Sequence, residues 1–370
     1  MATFTSLGIS EIFLKALEEN NIHQPTEIQK KAIPFLLTKG TDMVAQAQTG
    51  TGKTAAFGLP LLQKVDPNNK AVQGLILSPT RELGQQIAKQ LFRFTKYGPK
   101  VFVEAVYGGA KIDEQIKALL KPTQIVVATP GRLIDLLERE AVSLADVKTI
   151  VLDEADEMLS MGFKKELDQI LTQTKGQRHT WLFSATMPPE IKEIINKYLA
   201  PDAFKIQVDR DNVVNKDIEH FYTVCDDKFK LDTVLRFLKE QGENRGVIFC
   251  KTKAGSETLA KQLSAKNIAA DALHGDLLQK DRDKVMRAFK NHKVQILIAT
   301  DLAARGIDVE GLSYVIHYQL PEQLEYYTHR SGRTARAGKK GISLSLINNK
   351  ELGRLRVIEN NLGISLKELH

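Results

Sequence analysis

Residues Ala47–Thr54 read AQTGTGKT and lie between a short apolar run, Asp42–Ala45 (DMVA), and a helical stretch, Thr54–Gln63 (TAAFGLPLLQ). Strand, glycine-rich turn and helix in that order are what a phosphate-binding loop requires. Gly50 and Gly52 let successive backbone N–H groups turn toward one anion. The N-terminus of the following helix adds about half a positive charge at the same spot. Lys53 can reach terminal phosphates, and the Thr54 hydroxyl can bind Mg2+. The candidate nucleotide-binding segment is therefore Ala47, Gln48, Thr49, Gly50, Thr51, Gly52, Lys53 and Thr54. The standard pattern GxxxxGK[ST] has Gly where this chain has Ala47. A glycine-rich turn without a ligand is the alternative reading, and GKT with its flanks argues against it.

Such a loop works with a metal-positioning carboxylate at a strand end. Thr149–Leu152 (TIVL) reads as that strand, and Asp153-Glu154-Ala155-Asp156 follows at once. Open α/β sheets place their ligands at the carboxyl ends of strands. Asp153 would hold Mg2+ through water, and Glu154 would orient or deprotonate an attacking water. Two helix-capping acids are the alternative, and the upstream GKT argues against that too.

Working outward, apolar β-branched runs alternate with amphipathic helical stretches. Gly74–Ser78, Gln124–Thr129 and Thr180–Ser184 are further strands; Arg81–Thr95 and Lys164–Thr172 are helices. Strands without polar alternation, each followed by a helix, predict a parallel sheet covered on both faces. The rhythm restarts after about residue 210 with Gly246–Cys250, Ala269–Leu273, Gln295–Thr300, Ser313–His317 and Gly341–Leu346. The polar stretch 208–217 is the expected linker between units 1–207 and 218–370.

The 370 residues are 42% hydrophobic and 26% charged, which excludes a disordered or fibrous chain. No apolar run approaches the roughly 18 residues of a membrane span. MATFTSLGIS shows no signal-peptide pattern, and two cysteines make no disulfide framework, so buried thiols in a reducing cytoplasm are expected. The formal charge of +7 divides into +2 over residues 1–206 and +5 over 207–370. That balance is compatible with a nucleic-acid partner but weak evidence for one.

GKT together with Asp153–Asp156 (DEAD) resembles the DEAD-box family of ATP-dependent RNA helicases in helicase superfamily 2. Further motifs match from Phe4 to about Gly338: Pro25-Thr26 with Gln29, Pro79–Leu83 (PTREL), Gly108-Gly109, Thr129–Arg132 (TPGR) and Ser184–Thr186 (SAT). The second half adds Val247–Thr252, His274–Arg282, Ala299–Asp308 and His329–Gly338. Each is weak alone, but the series in the family's order is specific. The resemblance implies an α/β fold of two tandem RecA-like domains, each a parallel sheet flanked by helices, joined by a short linker. It implies RNA-stimulated ATP hydrolysis with Mg2+, backbone-directed RNA binding and local unwinding of short duplexes.

It also assigns roles. Gln29 would read adenine, whose donor and acceptor edges suit an amide, and Phe4 would stack on the base or be a core aromatic. Arg333 and Arg336 would be arginine fingers, an effect worth roughly 10³–10⁵ in rate. His329 would act near the attacking water, and Asp308 would touch the ribose. Ser184, Thr186 and Asp156 would couple hydrolysis to RNA. Pro79, Thr80, Arg81, Gly109, Thr129, Gly131 and Arg132 would contact RNA from the first domain. Lys251, Thr252, Gly275, Gln279, Arg282, Thr300 and Arg330 would do so from the second.

The chain departs from the family at Asn21 and Ile22, where Gly and an aromatic are usual. It also departs at Gly84 (usually Ala), Ser331 (Ile) and Ala335 (Gly). A duplex-DNA translocase and a non-enzymatic RNA clamp are the rival functions; DEAD with SAT and TPGR, and intact Glu154, Arg333 and Arg336, argue against them. A monomer is expected, with protein partners recruited through a tail that many relatives carry.

Overall fold

The computed structural model describes residues 2–38, 41–48, 50–174, 178–208, 217–304, 312–335 and 340–369. The chain divides into two compact units, Met1–Val208 and Asp209–His370. Of the expected linker, residues 209–216 lie outside the described residues.

The first unit is built on β1 (Met43–Gln46), β2 (Gly74–Leu77), β3 (Val103–Val106), β4 (Ile125–Ala128), β5 (Thr149–Leu152), β6 (His179–Ser184) and β7 (Phe204–Gln207). They form one sheet in the order β3-β4-β2-β5-β6-β1-β7, every pair parallel. Parallel neighbours need crossovers, and helices supply them. The central strands are buried on both faces because alternate residues enter opposite cores. Ile76, Val127, Val151 and Phe183 join one apolar cluster, while Leu75, Val126, Ile150 and Leu182 join the other.

The second unit repeats the plan with β8 (Ile218–Val224), β9 (Gly246–Phe249), β10 (Ala270–Leu273), β11 (Ile296–Ala299), β12 (Tyr314–His317), β13 (Gly341–Ile347) and β14 (Leu366–Glu368). Its order, β10-β11-β9-β12-β13-β8-β14, is the first sheet's order position by position. Two parallel sheets flanked by helices thus match the expected fold class. The sequence reading missed β8 and β14 in this half. In β8 buried and exposed residues mix, and β14 keeps only Leu366 buried, so neither reads as an apolar run.

Helix starts follow local chemistry. Thr80 caps the Arg81–Phe94 helix by accepting from the Leu83 N–H at 3.3 Å, and Thr252 caps Lys253–Ser264 by accepting from the Gly255 N–H at 3.0 Å. Pro130 opens the Pro130–Glu138 helix, where a missing N–H costs nothing.

Gly246 faces the Tyr314 ring so closely that an added Cβ would lie 2.0 Å from it. Gly246→Ala is therefore expected to destabilise the second unit by about 3 kcal/mol or more through overpacking. Thermal unfolding followed by calorimetry should show the transition of the second unit lowered and that of the first unmoved.

Candidate active site

The phosphate loop leaves the carboxyl end of β1. Gly50 (φ 81°) and Gly52 (φ 87°) both adopt the left-handed conformation that a side chain resists. Gly52 is needed twice over, since an added Cβ would sit 2.4 Å from the Gln29 Nε2. The Thr51 hydroxyl donates to the Gln48 carbonyl at 2.8 Å and tightens the turn. Lys53 and Thr54 open the Lys53–Lys64 helix, and the buried Lys53 ammonium donates to the Ala47 carbonyl at 3.2 Å. Thr49 lies outside the described residues.

Gln29 is buried beside this loop. Its Oε1 accepts from the Thr26 N–H at 2.9 Å and its Nε2 donates to the Gly52 carbonyl at 3.0 Å. The amide expected to read adenine thus braces the glycine-rich loop, which sequence spacing alone did not suggest. Phe4 is only 4% exposed and packs in the core of this unit, so here it is a core aromatic rather than an open stacking face.

Asp153 stands at the carboxyl end of β5, fully buried. Burial, above all, pushes its carboxyl up to about 6; the Lys53 ammonium pulls it down, and Glu154 and Asp156 add like-charge repulsion. Its Oδ1 accepts from the Glu154 N–H at 3.0 Å. Glu154 itself has φ 51°, a left-handed backbone that costs of order 1–3 kcal/mol and that clusters at functional sites. Asp156 ties the end of β5 to the end of β6: its Oδ2 accepts from both the N–H and the hydroxyl of Thr186 at 2.8 Å. The Ser184 hydroxyl donates to the Thr186 carbonyl at 2.7 Å and accepts from the Asp156 N–H at 3.3 Å. Gln46, at the end of β1, was missed by sequence reasoning. Its Nε2 donates to the Ala185 carbonyl at 3.2 Å and its Oε1 accepts from Gln207 at 3.1 Å, so SAT is also tied to β1 and β7.

The expected RNA contacts fall at matching stations in the two sheets. Gly109 follows β3 and Gly275 follows β10; Thr129 follows β4 and Thr300 follows β11. Pro79 and Thr80 follow β2, and Lys251 and Thr252 follow β9. Arg81 stacks over the Tyr107 ring at 4.7 Å, and the Gln85 amide donates to the Tyr107 hydroxyl at 2.6 Å. Tyr107 is another missed residue, an aromatic standing directly before Gly108-Gly109. Arg132 is 10% exposed, donates to the Ala110 carbonyl at 3.1 Å and pairs through Nε with Asp135 at 3.7 Å, while its buried Nε and Nη1 make no hydrogen bond. Gly131 beside it has open space where a Cβ would be. Lys251 is exposed and paired with Glu322 at 2.6 Å. Gln279 donates to Asp283 at 2.8 Å, and Arg282 donates to the Ala303 carbonyl at 2.8 Å.

Arg330 corrects the sequence reading. It is 3% exposed, grips Asp301 with two bonds of 2.6 and 2.7 Å, and donates to the Gln319 carbonyl at 2.8 Å. A guanidinium so committed organises the core of the second unit, in place of the open donor that the expected RNA contact requires. The helix Leu324–Ser331 contains His329 and Arg330 and ends before Arg333, and Arg336 lies outside the described residues, as does Asp308.

Several departures from the family pattern have physical reasons. Asn21 (φ 56°) and Ala335 (φ 55°) stand in glycine-favouring backbone, where Asn is the better tolerated of the two. At Gly84 a Cβ would come 3.1 Å from the Ser78 hydroxyl, so the missing methyl leaves that hydroxyl room. Ser331 joins a buried polar layer, bonded to the Ser343 hydroxyl at 2.9 Å.

Comparison with known proteins follows the same outline. The family described as DEAD/DEAH box helicase matches residues 26–194, and the helicase conserved C-terminal domain matches 229–338. The DEAD-box ATP-dependent RNA helicase CshA of Bacillus cereus is 43% identical over 359 residues, covering 97% of this chain and 68% of that protein. The ATP-dependent RNA helicase CshA of Limosilactobacillus reuteri is 44% identical, covering 96% of this chain and 71% of that one. Among solved structures, S. cerevisiae Dbp5 bound to RNA and ADP BeF3 has a TM-score of 0.91 at 30% identity, over 100% of this chain and 96% of that chain. Mss116p bound to ssRNA and AMP-PNP has a TM-score of 0.90 at 28% identity, over 100% of this chain and 80% of that one.

The raised Asp153 carboxyl carries a stability prediction. The ligand-free fold binds this proton more tightly than the unfolded chain does. The resulting stabilisation is present below about pH 4 and is lost as pH rises through about 6. Asp153→Asn is expected to flatten the dependence of unfolding midpoint on pH between those values. An unchanged slope in urea titrations of the variant would contradict the assignment.

Proposed function

The chain belongs to the DEAD-box family of ATP-dependent RNA helicases, and on that premise we propose how its own residues work. It is an RNA-dependent ATPase whose hydrolysis of ATP drives RNA unwinding or remodelling. The observation that carries the residue assignments is Asp153, a fully buried carboxyl raised by burial against the pull of Lys53, three residues before the Asp156 that binds Thr186.

ATP occupies the Ala47–Thr54 loop, and Lys53 exchanges the Ala47 carbonyl for phosphate oxygens. Buried carboxylate and hydroxyl oxygens suit a hard divalent cation, and the repulsion among Asp153, Glu154 and Asp156 is what such a cation relieves. Thr54 and Asp153 are the residues that would hold Mg2+. When bound, the ion neutralises charge on the phosphates. Glu154, set by its left-handed backbone at the strand end, orients the attacking water and takes its proton. Arg333 and Arg336 neutralise charge on the transferring phosphoryl group, with His329 near the water and Asp308 on the ribose. Gln29 reads the adenine while bracing Gly52.

RNA lies along the glycines, threonines and basic residues at the matching strand-end stations, held mainly by its backbone. Arg132, beside Gly131 just past β4, is one of the basic groups that would meet a phosphate. Neither unit alone carries the full set of residues for either ligand. ATP and RNA each favour the state in which both units engage, and so favour one another's binding. That state bends one strand and opens a short duplex locally. Both cysteines are free, as suits a protein of the reducing cytoplasm.

Glu154→Gln is expected to keep ATP-dependent RNA binding and lose turnover; phosphate release at the parent rate would refute the role of Glu154. Arg333→Ala should lower RNA-stimulated kcat by roughly 10³-fold or more. A parent-like rate in a steady-state phosphate assay would remove Arg333 from the finger role.

A further inference from the structure

The elements that form the phosphate site also enclose something at their other ends. A cavity of about 530 Å3 is lined by Lys64, Lys148, Arg178 and His179, with Leu61 and Val65 as an apolar wall. Lys64 is the last residue of the helix that begins with Lys53. Lys148 immediately precedes β5, the strand that ends at Asp153. His179 is the first residue of β6, the strand that ends at Ser184. Twelve helical residues at about 1.5 Å each put the cavity roughly 18 Å from the phosphate loop, so it is a separate place.

Its charge is one-sided. Four basic side chains line it and no acidic one does. Lys64 can offset the negative end of its own helix, worth about half a charge, but Lys148 and Arg178 remain in excess. Arg178 is more than half buried, yet its bonds go to neutral oxygens: the Thr174 carbonyl at 2.5 Å, the Leu171 carbonyl at 3.0 Å and the Thr180 hydroxyl. It makes no ion pair among the described residues. The acidic group that acts on it, Asp42, has its two oxygens occupied by the N–H groups of Thr180 at 2.6 Å and Ala200 at 2.7 Å. Burial lowers the pKa of both Arg178 and His179 while Asp42 opposes the shift, so His179 lines the cavity as a neutral imidazole beside the cationic Lys64, Lys148 and Arg178. The Arg178 guanidinium is hydrogen-bonded but only to neutral oxygens, so its charge is left incompletely balanced, and an anion in the cavity would complete that balance.

We propose that this cavity is a second ligand site, taking a small phosphorylated molecule whose apolar body lies on Leu61 and Val65. Its size falls within the roughly 300–1,000 Å3 of small-molecule pockets. RNA held by its backbone calls for an extended groove instead.

The test uses the full chain with its phosphate loop filled by saturating ADP. Phenyl phosphate is titrated by calorimetry, with inorganic phosphate and a short single-stranded RNA as further arms. The expected result is one saturable site that binds phenyl phosphate more tightly than inorganic phosphate and is not emptied by RNA. Lys64 and Lys148 are exposed, so Lys64→Ala/Lys148→Ala should fold normally. It should weaken phenyl phosphate by about tenfold or more, as loss of two charge-assisted contacts implies. The Lys64→Arg/Lys148→Arg variant should restore it. No saturable binding, equal affinity in the alanine double variant, inorganic phosphate binding as tightly, or displacement by RNA would each overturn the proposal.

Discussion

A carboxyl at the end of β5 and an ammonium on the helix that follows β1, both kept out of water, are the constraint on which the first unit's site depends. Asp153 and Lys53 are both buried, and Asp153 faces two more acids. Burying charge in this way costs several kcal/mol per ion before attraction offsets it. Glu154 adds a backbone conformation that a non-glycine residue resists. The fold therefore gathers like-charged groups in an arrangement whose repulsion a bound cation would relieve. The surrounding sheet tolerates it because every strand near the site is buried on both faces and fixed by parallel neighbours. The bonds from Asp156 to Thr186 and from Gln46 to Ala185 spread that fixity across β1, β5 and β6.

The two sheets share one strand order but divide their chemistry. At the ends of β3, β4 and β2, and of their counterparts β10, β11 and β9, the same small and hydroxylic residues recur. Thr80 and Thr252 even perform the same helix cap. The other half of each sheet differs. β1 runs into AQTGTGKT, whereas its counterpart β8 runs into Cys225-Asp226-Asp227. Two acids at the place of a phosphate loop repel the ligand that the first unit attracts. A repeated scaffold therefore carries two sets of the expected RNA-contact stations and one glycine-rich loop.

What the sequence made legible follows from how each feature is encoded. Central strands such as Ile125–Ala128 and Thr149–Leu152 are continuous apolar runs, and GKT needs its glycines in order, so both are written locally. β8 and β14 are not, because partly exposed strands mix polar and apolar residues and depend on neighbours far along the chain for their identity. Side-chain direction is the other hidden quantity. Arg330 reads like Arg333 in the motif, yet it turns inward to Asp301 and Gln319. Phe4 likewise satisfied a pattern, while its burial is decided by the core it enters. Gln46 and Tyr107 lie beside recognised motifs but act through partners that no local spacing reveals.

The pairing of β1 has a bearing on synthesis. Its neighbours in the sheet are β6 and β7, the last strands of its unit, while the strands made next in time assemble elsewhere. A ribosome that has delivered residues 43–46 must translate beyond residue 179 before that apolar segment finds its first strand partner. Until then it is an unpaired strand in a growing chain, the kind of exposed edge that recruits other chains. The segment that carries the phosphate loop is thus among the last to be secured, and a chain broken off before β6 would leave it bare.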